Sequence, residues 1–297
     1  PAATVPGIQG FIGMGYTQKP TKWTELYTQL KMAYEIEREV GYAGMDLPSK
    51  REELEENIYT GMRQVWKRAY QAVKYRLSFA ISKDAQRAIM YPEVLKQQSM
   101  EFGNKFRIMH EILAVDVLNN ATNSAINYQM YDGNPLAYAS HQLATGNTFS
   151  NVYAAHANMS EAVLENILNS IETDFKDDTN NLVQIEPVRL VIPVNLRQTA
   201  FRIQNSQLRV NTNYNDPNAI KDMGLLPKQP LVLNYLTDQT AFGVLTDCPK
   251  GFMYREQWGL ETTTWVDNET GAIKTSGEKK LTYDIGDFRC WYQMPGA

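Results

Sequence analysis

Residues 160–206 read SEAVLENILNSIETDFKDDTNNLVQIEPVRLVIPVNLRQTAFRIQNS, and the order of patterns in this stretch decides the fold class. Ser160 is a good helix N-cap, and Val163, Leu164, Ile167, Leu168 and Ile171 follow it at helical spacing. EPVRLVIPV comes next and reads as a short buried strand. NLRQTAFRIQNS then places Leu196, Ala200 and Ile203 where a helix leaving that strand would need them. Helix, strand and helix in this order predict a mixed α/β unit.

Toward the C-terminus, an Asn-rich loop (NSQLRVNTNYNDPNAIKDMG) precedes two strands expected at Leu231–Leu236 and Ala241–Leu245, joined by the polar turn Thr237–Thr240. The end of the chain is β-rich. Thr262, Thr264 and Val266 alternate, DNETG makes a turn, and Phe288, Cys290 and Tyr292 are expected on one face of a last strand. Toward the N-terminus, residues 131–158 read as irregular chain with turn chemistry. Before them, Leu95, Phe102, Phe106, Met109, Leu113 and Val117 trace one face of a helix over about 92–119. Gly103 interrupts it at a cost of about 1 kcal/mol relative to alanine and is expected to mark a bend.

The first third is built differently. Residues 1–20 hold Pro1, Pro6 and Pro20 with four glycines, a composition suited to an extended arm. Pro1 itself fits loss of an initiator Met or cleavage from a longer precursor. Trp23, Leu26, Tyr27 and Leu30 predict a short amphipathic helix. Tyr34, Ile36, Val40 and Tyr42 alternate with Glu35, Glu37 and Glu39, which is a strand, and a second clean alternation runs over Val73–Ile81. The polar stretch DLPSKREELEEN between them predicts a long hairpin with a charged tip. Its limbs differ electrically. Residues 46–56 hold Asp46, Glu52, Glu53, Glu55 and Glu56 against Lys50 and Arg51, whereas residues 57–76 hold Arg63, Lys67, Arg68, Lys74 and Arg76 and no acid. A two-stranded ribbon this long is marginal in water, so it reads either as resting on a surface such as another subunit or as a solvated hairpin edge with balanced surface charge.

Composition bounds the function. The 297 residues are 43% hydrophobic and 21% charged, ordinary for a folded domain or two. With 29 basic against 33 acidic residues, the formal charge of -4 disfavours nonspecific binding to phosphate backbones. Cys248 and Cys290 are too few to staple the chain, so a reducing compartment is the default. No run approaches the roughly 18 apolar residues of a membrane span. There is no phosphate-binding loop or dinucleotide fingerprint, and His110 lacks a partner at metal-ligand spacing. His110, His141 and His156 allow a Ser-His-Asp or Cys-His site by count, but there is no nucleophile elbow and neither cysteine carries a local signature. Asp177 with Asp178, and Glu52 with Glu53, read as solvated charge on polar segments rather than as paired acids converging in a pocket. No catalytic, cofactor-binding or metal-ligating residue is therefore assigned.

The sequence of arm, charged hairpin, long helix, α/β unit with an Asn-rich loop, and β-rich return resembles a tailed-phage major capsid protein of the Hong Kong 97-like fold, an α+β architecture. The residues that carry the resemblance are Asp132–Leu136 with Ser140–Leu143, the Ser160 helix, Pro187–Pro193, Gly251–Glu256 and Asp287–Arg289. The resemblance implies an N-terminal arm over 1–20 and an extended-loop region over 21–80. It further implies a peripheral domain over 81–159 and 248–297 built on the spine helix, and an axial domain over 160–247 with Asn211–Asn218 near the centre of hexamers and pentamers. The implied function is self-assembly into an icosahedral head that encloses double-stranded DNA without sequence-specific binding. Portal, scaffold and decoration or cement proteins are the implied further partners, with no membrane. The chain would be made in the host cytoplasm and reside in the virion.

Under this reading, Arg63, Lys67 and Arg68 are expected to meet acids of an adjacent subunit, with Glu52, Glu53, Glu55 and Glu56 as the complementary contact residues. Some family members cross-link a loop Lys to a neighbour's Asn. Lys50 holds the matching place near the tip, but no partner Asn or catalytic acid is assigned and no cross-link is expected. The alternatives are an encapsulin-like nanocompartment shell, against which an extended arm argues, and a phage tail structural protein.

Overall fold

The computed structural model describes residues 4–45, 47–53, 56, 59–87, 91–209 and 216–296. In chain order the elements are α1 (Thr4–Tyr16), β1 (Thr28–Lys31), β2 (Ile36–Ala43), β3 (Arg63–Gln71), β4 (Val73–Ile81), α2 (Lys83–Arg87) and α3 (Tyr91–Asn119). There follow β5 (His141–Gln142), β6 (Thr148–Phe149), α4 (Glu161–Asp174), β7 (Pro187–Pro193), α5 (Arg197–Asn205) and α6 (Ala219–Asp222). The chain ends through β8 (Leu231–Leu233), β9 (Phe242–Thr246), β10 (Phe252–Val266), β11 (Ile273–Ile285) and β12 (Trp291–Met294). Two compact units divide it: Pro1–Glu37, Tyr70–Asp116 and Met253–Asp284 form one, and Arg38–Ala69, Val117–Phe252 and Ile285–Ala297 form the other.

In the first unit, strands in the order β1-β10-β11-β4 make a sheet, with β1 parallel to β10 and β4 antiparallel to β11 from Val73↔Leu281 to Ile81↔Ile273. The spine helix α3 has 29 residues, close to its expected span. Leu95, Phe102 and Phe106 bury its apolar face together with Ile8, Ile12, Ile81 and Ile273. Ile8 and Ile12 belong to α1, so residues 4–16 are helical and the expected extended arm is corrected there. The physical reason is tertiary: glycine disfavours an isolated helix, but here two isoleucines one turn apart are buried in the core. Gly103 serves this contact, because a Cβ there would run into the Ile12 carbonyl.

The short helix expected over 21–30 is also corrected. Only Trp23–Glu25 make a single 3-10 turn, and Thr28–Lys31 pair as β1 with Met253–Glu256. Trp23, Leu26 and Tyr27 are buried as their spacing suggested, but sheet pairing outcompetes helix beyond them.

The second unit carries the decisive stretch. The Ser160 side chain accepts from the Val163 N–H at 3.3 Å, and Leu164, Ile167, Leu168 and Ile171 are buried. β7 is central in a sheet ordered β12-β9-β7-β8, antiparallel to β9 and parallel to β8. The β7–β8 crossover runs through α5, where Ala200 and Ile203 are buried, and α6. Strand β8 ends at Leu233, short of the expected Leu236. Phe288–Cys290 form a 3-10 turn capped by Asp287, and the last strand begins only at Trp291.

Residues 285–297 belong to this sheet because β12 pairs with β9, and residues 117–159 join it through Asn151, whose amide donates to the carbonyls of Leu136, Phe288 and Trp291. The compact units therefore do not divide at residue 160 as expected. Of the Asn-rich loop, Asn211–Asn215 lie outside the described residues, as do Asp46 and Glu55 at the hairpin. Asn218 is buried, caps α6 and donates to the Ile203 carbonyl.

The hairpin exists, but its second limb is corrected. β2 pairs with β3, Arg63–Gln71, whereas Val73–Ile81 turns away to pair with β11. Clean alternation covers only Val73–Ile81, whereas over Arg63–Ala72 the apolar residues fall in adjacent pairs such as Val65–Trp66 and Ala69–Tyr70, so β3 carries no period-two signal and the clean strand stands out as the hairpin limb.

Candidate assembly surface

Four side chains, Trp66, Arg68, Arg63 and Glu39, hold the root of the hairpin within the second unit. The Trp66 ring stacks on Tyr131 with centroids 4.8 Å apart, and it lies so close to Gly41 on β2 that a Cβ there would strike it. The Arg68 guanidinium donates to the Ile285 carbonyl at 2.6 Å and faces the Met130 sulfur at 3.3 Å. Arg63 donates to the Ala144 carbonyl at 2.6 Å, and Glu39 pairs with Lys250 at 2.6 Å.

Two of the three cations expected at a subunit boundary are thus engaged inside the chain, Arg63 and Arg68, both on carbonyl oxygens. Lys67 differs. It is exposed and meets no acid among the described residues. At the tip, Glu52, Glu53 and Glu56 are exposed, as is Lys50. Alternation along β2 shows which side chains share a face but not which face turns inward. The structure places Gly41 and Ala43 inward, and exposes Ile36 and Tyr42. Met45, Leu47 and Met62 are exposed as well, and Tyr59 is 92% exposed. The hairpin presents an apolar outer surface next to a charged tip, which is uncommon on a monomer that works alone.

Beneath the root, residues far apart in sequence form a buried knot. Asp132 meets His141 Nδ1 at 2.6 Å, and the His141 ring stacks on Phe288 at 4.0 Å with Nε2 toward the Leu136 carbonyl at 3.2 Å. Burial alone would raise the Asp132 carboxyl, but hydrogen bonds from His141 and Asn134 outweigh it and hold the group below its usual value. Arg289 donates to the Lys176 carbonyl at 2.7 Å and pairs with Asp178 at 3.1 Å and Asp287 at 3.0 Å. Tyr131 packs on Phe288 at 5.3 Å and so joins the knot to Trp66.

This knot is a platform: its charged groups are paired with one another, with the His141 and Arg289 side chains buried. DGNPL, SHQL and DFR were visible as motifs, and their convergence was not. Trp66 as the anchor was missed altogether; its one signal was a lone indole in an otherwise basic strand, opposite a glycine. Among the described residues, no cluster of three or more His, Cys, Asp or Glu side chains suits a metal, and no helix is long and apolar enough to cross a membrane.

Residues 66–293 match the family of phage capsid proteins. No curated protein sequence matches the chain. Its fold is similar to that of a virus-like particle from Pyrococcus furiosus, at 7% identity over 97% of this chain and 98% of that one, TM-score 0.56. It is similar also to a structure from Microbacterium phage Oxtober96, at 9% identity over 94% and 92% of the two chains, TM-score 0.56. The holo-SrpI encapsulin complex from Synechococcus elongatus PCC 7942 shares 10% identity over 94% and 88%, TM-score 0.50. At such identities the likeness shows the fold, the mixed α+β capsid fold of the Hong Kong 97-like type, and phage and encapsulin shells share it.

Proposed function

The chain belongs to the phage capsid protein family, and we propose that it is a major capsid protein of the virion shell, whose copies form hexamers and pentamers that close an icosahedral head around double-stranded DNA. The observation that carries this reading is the hairpin, tied down at its root through Trp66 and Arg68 and apolar on its outer face. A ribbon with that distribution lies over a neighbouring copy, where the apolar face is covered. Lys67 meets the acids of a neighbour, Glu52, Glu53 and Glu56 supply them, and Arg63 and Arg68 fix the direction in which the hairpin leaves its platform. The sheet of β12, β9, β7 and β8 with α4 to α6 serves as the axial domain. The sheet of β1, β10, β11 and β4 with the spine helix serves as the peripheral domain.

The work is structural and not catalytic, and a formal charge of -4 suits a shell that encloses DNA without adhering to it. Portal, scaffold and decoration proteins complete the assembly. A nanocompartment shell is the second reading. The helical α1 favours it by removing the argument that an extended arm set against it. Purified particles distinguish the two: nuclease-protected double-stranded DNA with a high ratio of absorbance at 260 to 280 nm is expected, and particles holding only protein would transfer the chain to the second reading.

A further inference from the structure

Charge is sorted along the second unit in a way the platform does not explain. Residues 160–186 carry seven acids against one lysine, and residues 187–215 carry four arginines and no acid. Most of these groups are satisfied within the chain. Arg209 pairs with Glu165 at 3.2 Å, Arg189 donates to the Gln229 carbonyl at 2.6 Å, and Asp178 pairs with Arg289. Arg197 and Arg202 are the exceptions among the arginines. Both project from the exposed side of α5 with no ion-pair partner among the described residues, and between them Phe201 stands 60% exposed.

A groove of about 710 Å³ lies elsewhere on the same unit. Its lining includes Leu182 and Met223, apolar side chains 61% and 71% exposed, and Glu172 and Glu186, exposed acids whose carboxylates have no ion-pair partner among the described residues. Knob and groove are complementary in kind, an aromatic flanked by two guanidiniums against an apolar trough flanked by two carboxylates. Phe201 is exposed to solvent and is not among the residues that line the groove. One copy does not fill its own groove.

We propose that Phe201 of one copy seats in the groove of the next, with Arg197 and Arg202 facing Glu172 and Glu186, as the head-to-tail contact that closes each capsomer ring. A contact between two different patches repeats around a ring and closes where the rotation allows. Opposed charges at its rim set register and speed encounter. This contact rests on the reading of the chain as a shell subunit.

The test uses the full chain and charge exchange, with assembled material separated from free subunits by sedimentation and imaged. Arg197→Glu with Arg202→Glu, and separately Glu172→Arg with Glu186→Arg, are expected to lower the assembled fraction at least tenfold, while circular dichroism and thermal melting of the free subunits stay those of the parent. The chain carrying all four exchanges restores opposite charges at every contact and is expected to assemble to within about twofold of the parent. Assembly of both paired variants at the parent's level overturns the contact, as does failure of the fourfold variant when its melt is unchanged. A parent chain that forms neither rings nor shells overturns instead the shell reading on which the contact rests.

Discussion

His110 sits on the spine helix in a box of aromatic rings, stacked on Trp23 at 5.1 Å and hydrogen-bonded through Nδ1 to the Tyr283 hydroxyl at 2.6 Å. Burial, with the Lys279 ammonium as a lesser cause, pushes its imidazole down to about 3. The folded value lies below the unfolded one, so the unfolded chain takes up the proton first as pH falls. Stability is full above about pH 6.5 and drains between there and about pH 3. Between pH 6.5 and 4 this one group costs about 3 kcal/mol. Urea unfolding of the free subunit is expected to show a loss of that order in the parent beyond the loss in His110→Gln, whose side chain does not titrate; equal pH slopes would refute it. From the sequence, His110 is legible as a residue without metal partners. Its aromatic box is not, because Trp23, Tyr254 and Tyr283 come from three other segments.

At the scale of elements, local periodicity explains what was readable. The spine helix and the Ser160 helix announce themselves because cap and apolar stripe lie within one run of residues. The elements misread are those whose partner decides the outcome: α1 is a helix because Ile8 and Ile12 reach the Phe102 and Phe106 core, and the hairpin's second limb is β3 because β11 captures Val73–Ile81. Gly103 puts this to a test. Helix propensity alone predicts that Gly103→Ala stabilises α3 by about 1 kcal/mol. The close passage of the Ile12 carbonyl predicts the opposite, a net loss of about 1 to 2 kcal/mol as α1 is displaced. Thermal melting gives the sign, and faster proteolysis within the first 20 residues of the variant would trace the loss to α1. A stabilised variant with α1 still protected would contradict the packing described.

For the whole molecule, the order of units along the chain was enough to suggest a capsid subunit, while the division between its two compact parts was not. Strand β12 and residues 117–159 return to the sheet of β7 through backbone pairing and the Asn151 amide, which no local pattern announces. The basic limb taught the same lesson, since Arg63 and Arg68 look like surface cations in sequence and are bound to carbonyls in the fold.

Lys67 is the cation of that limb left for a neighbour. Lys67→Glu is expected to lower the yield of assembled particles several-fold, an effect that shrinks at high salt because exposed pairs are screened. One such pair is worth at most about 1 kcal/mol, but every subunit repeats it. Unchanged yield at low salt would remove Lys67 from the interface. The most direct measurement is negative-stain electron microscopy of the purified protein. Closed shells of uniform diameter are predicted, and a preparation holding only monomers, open tubes or stacked rings would contradict the account.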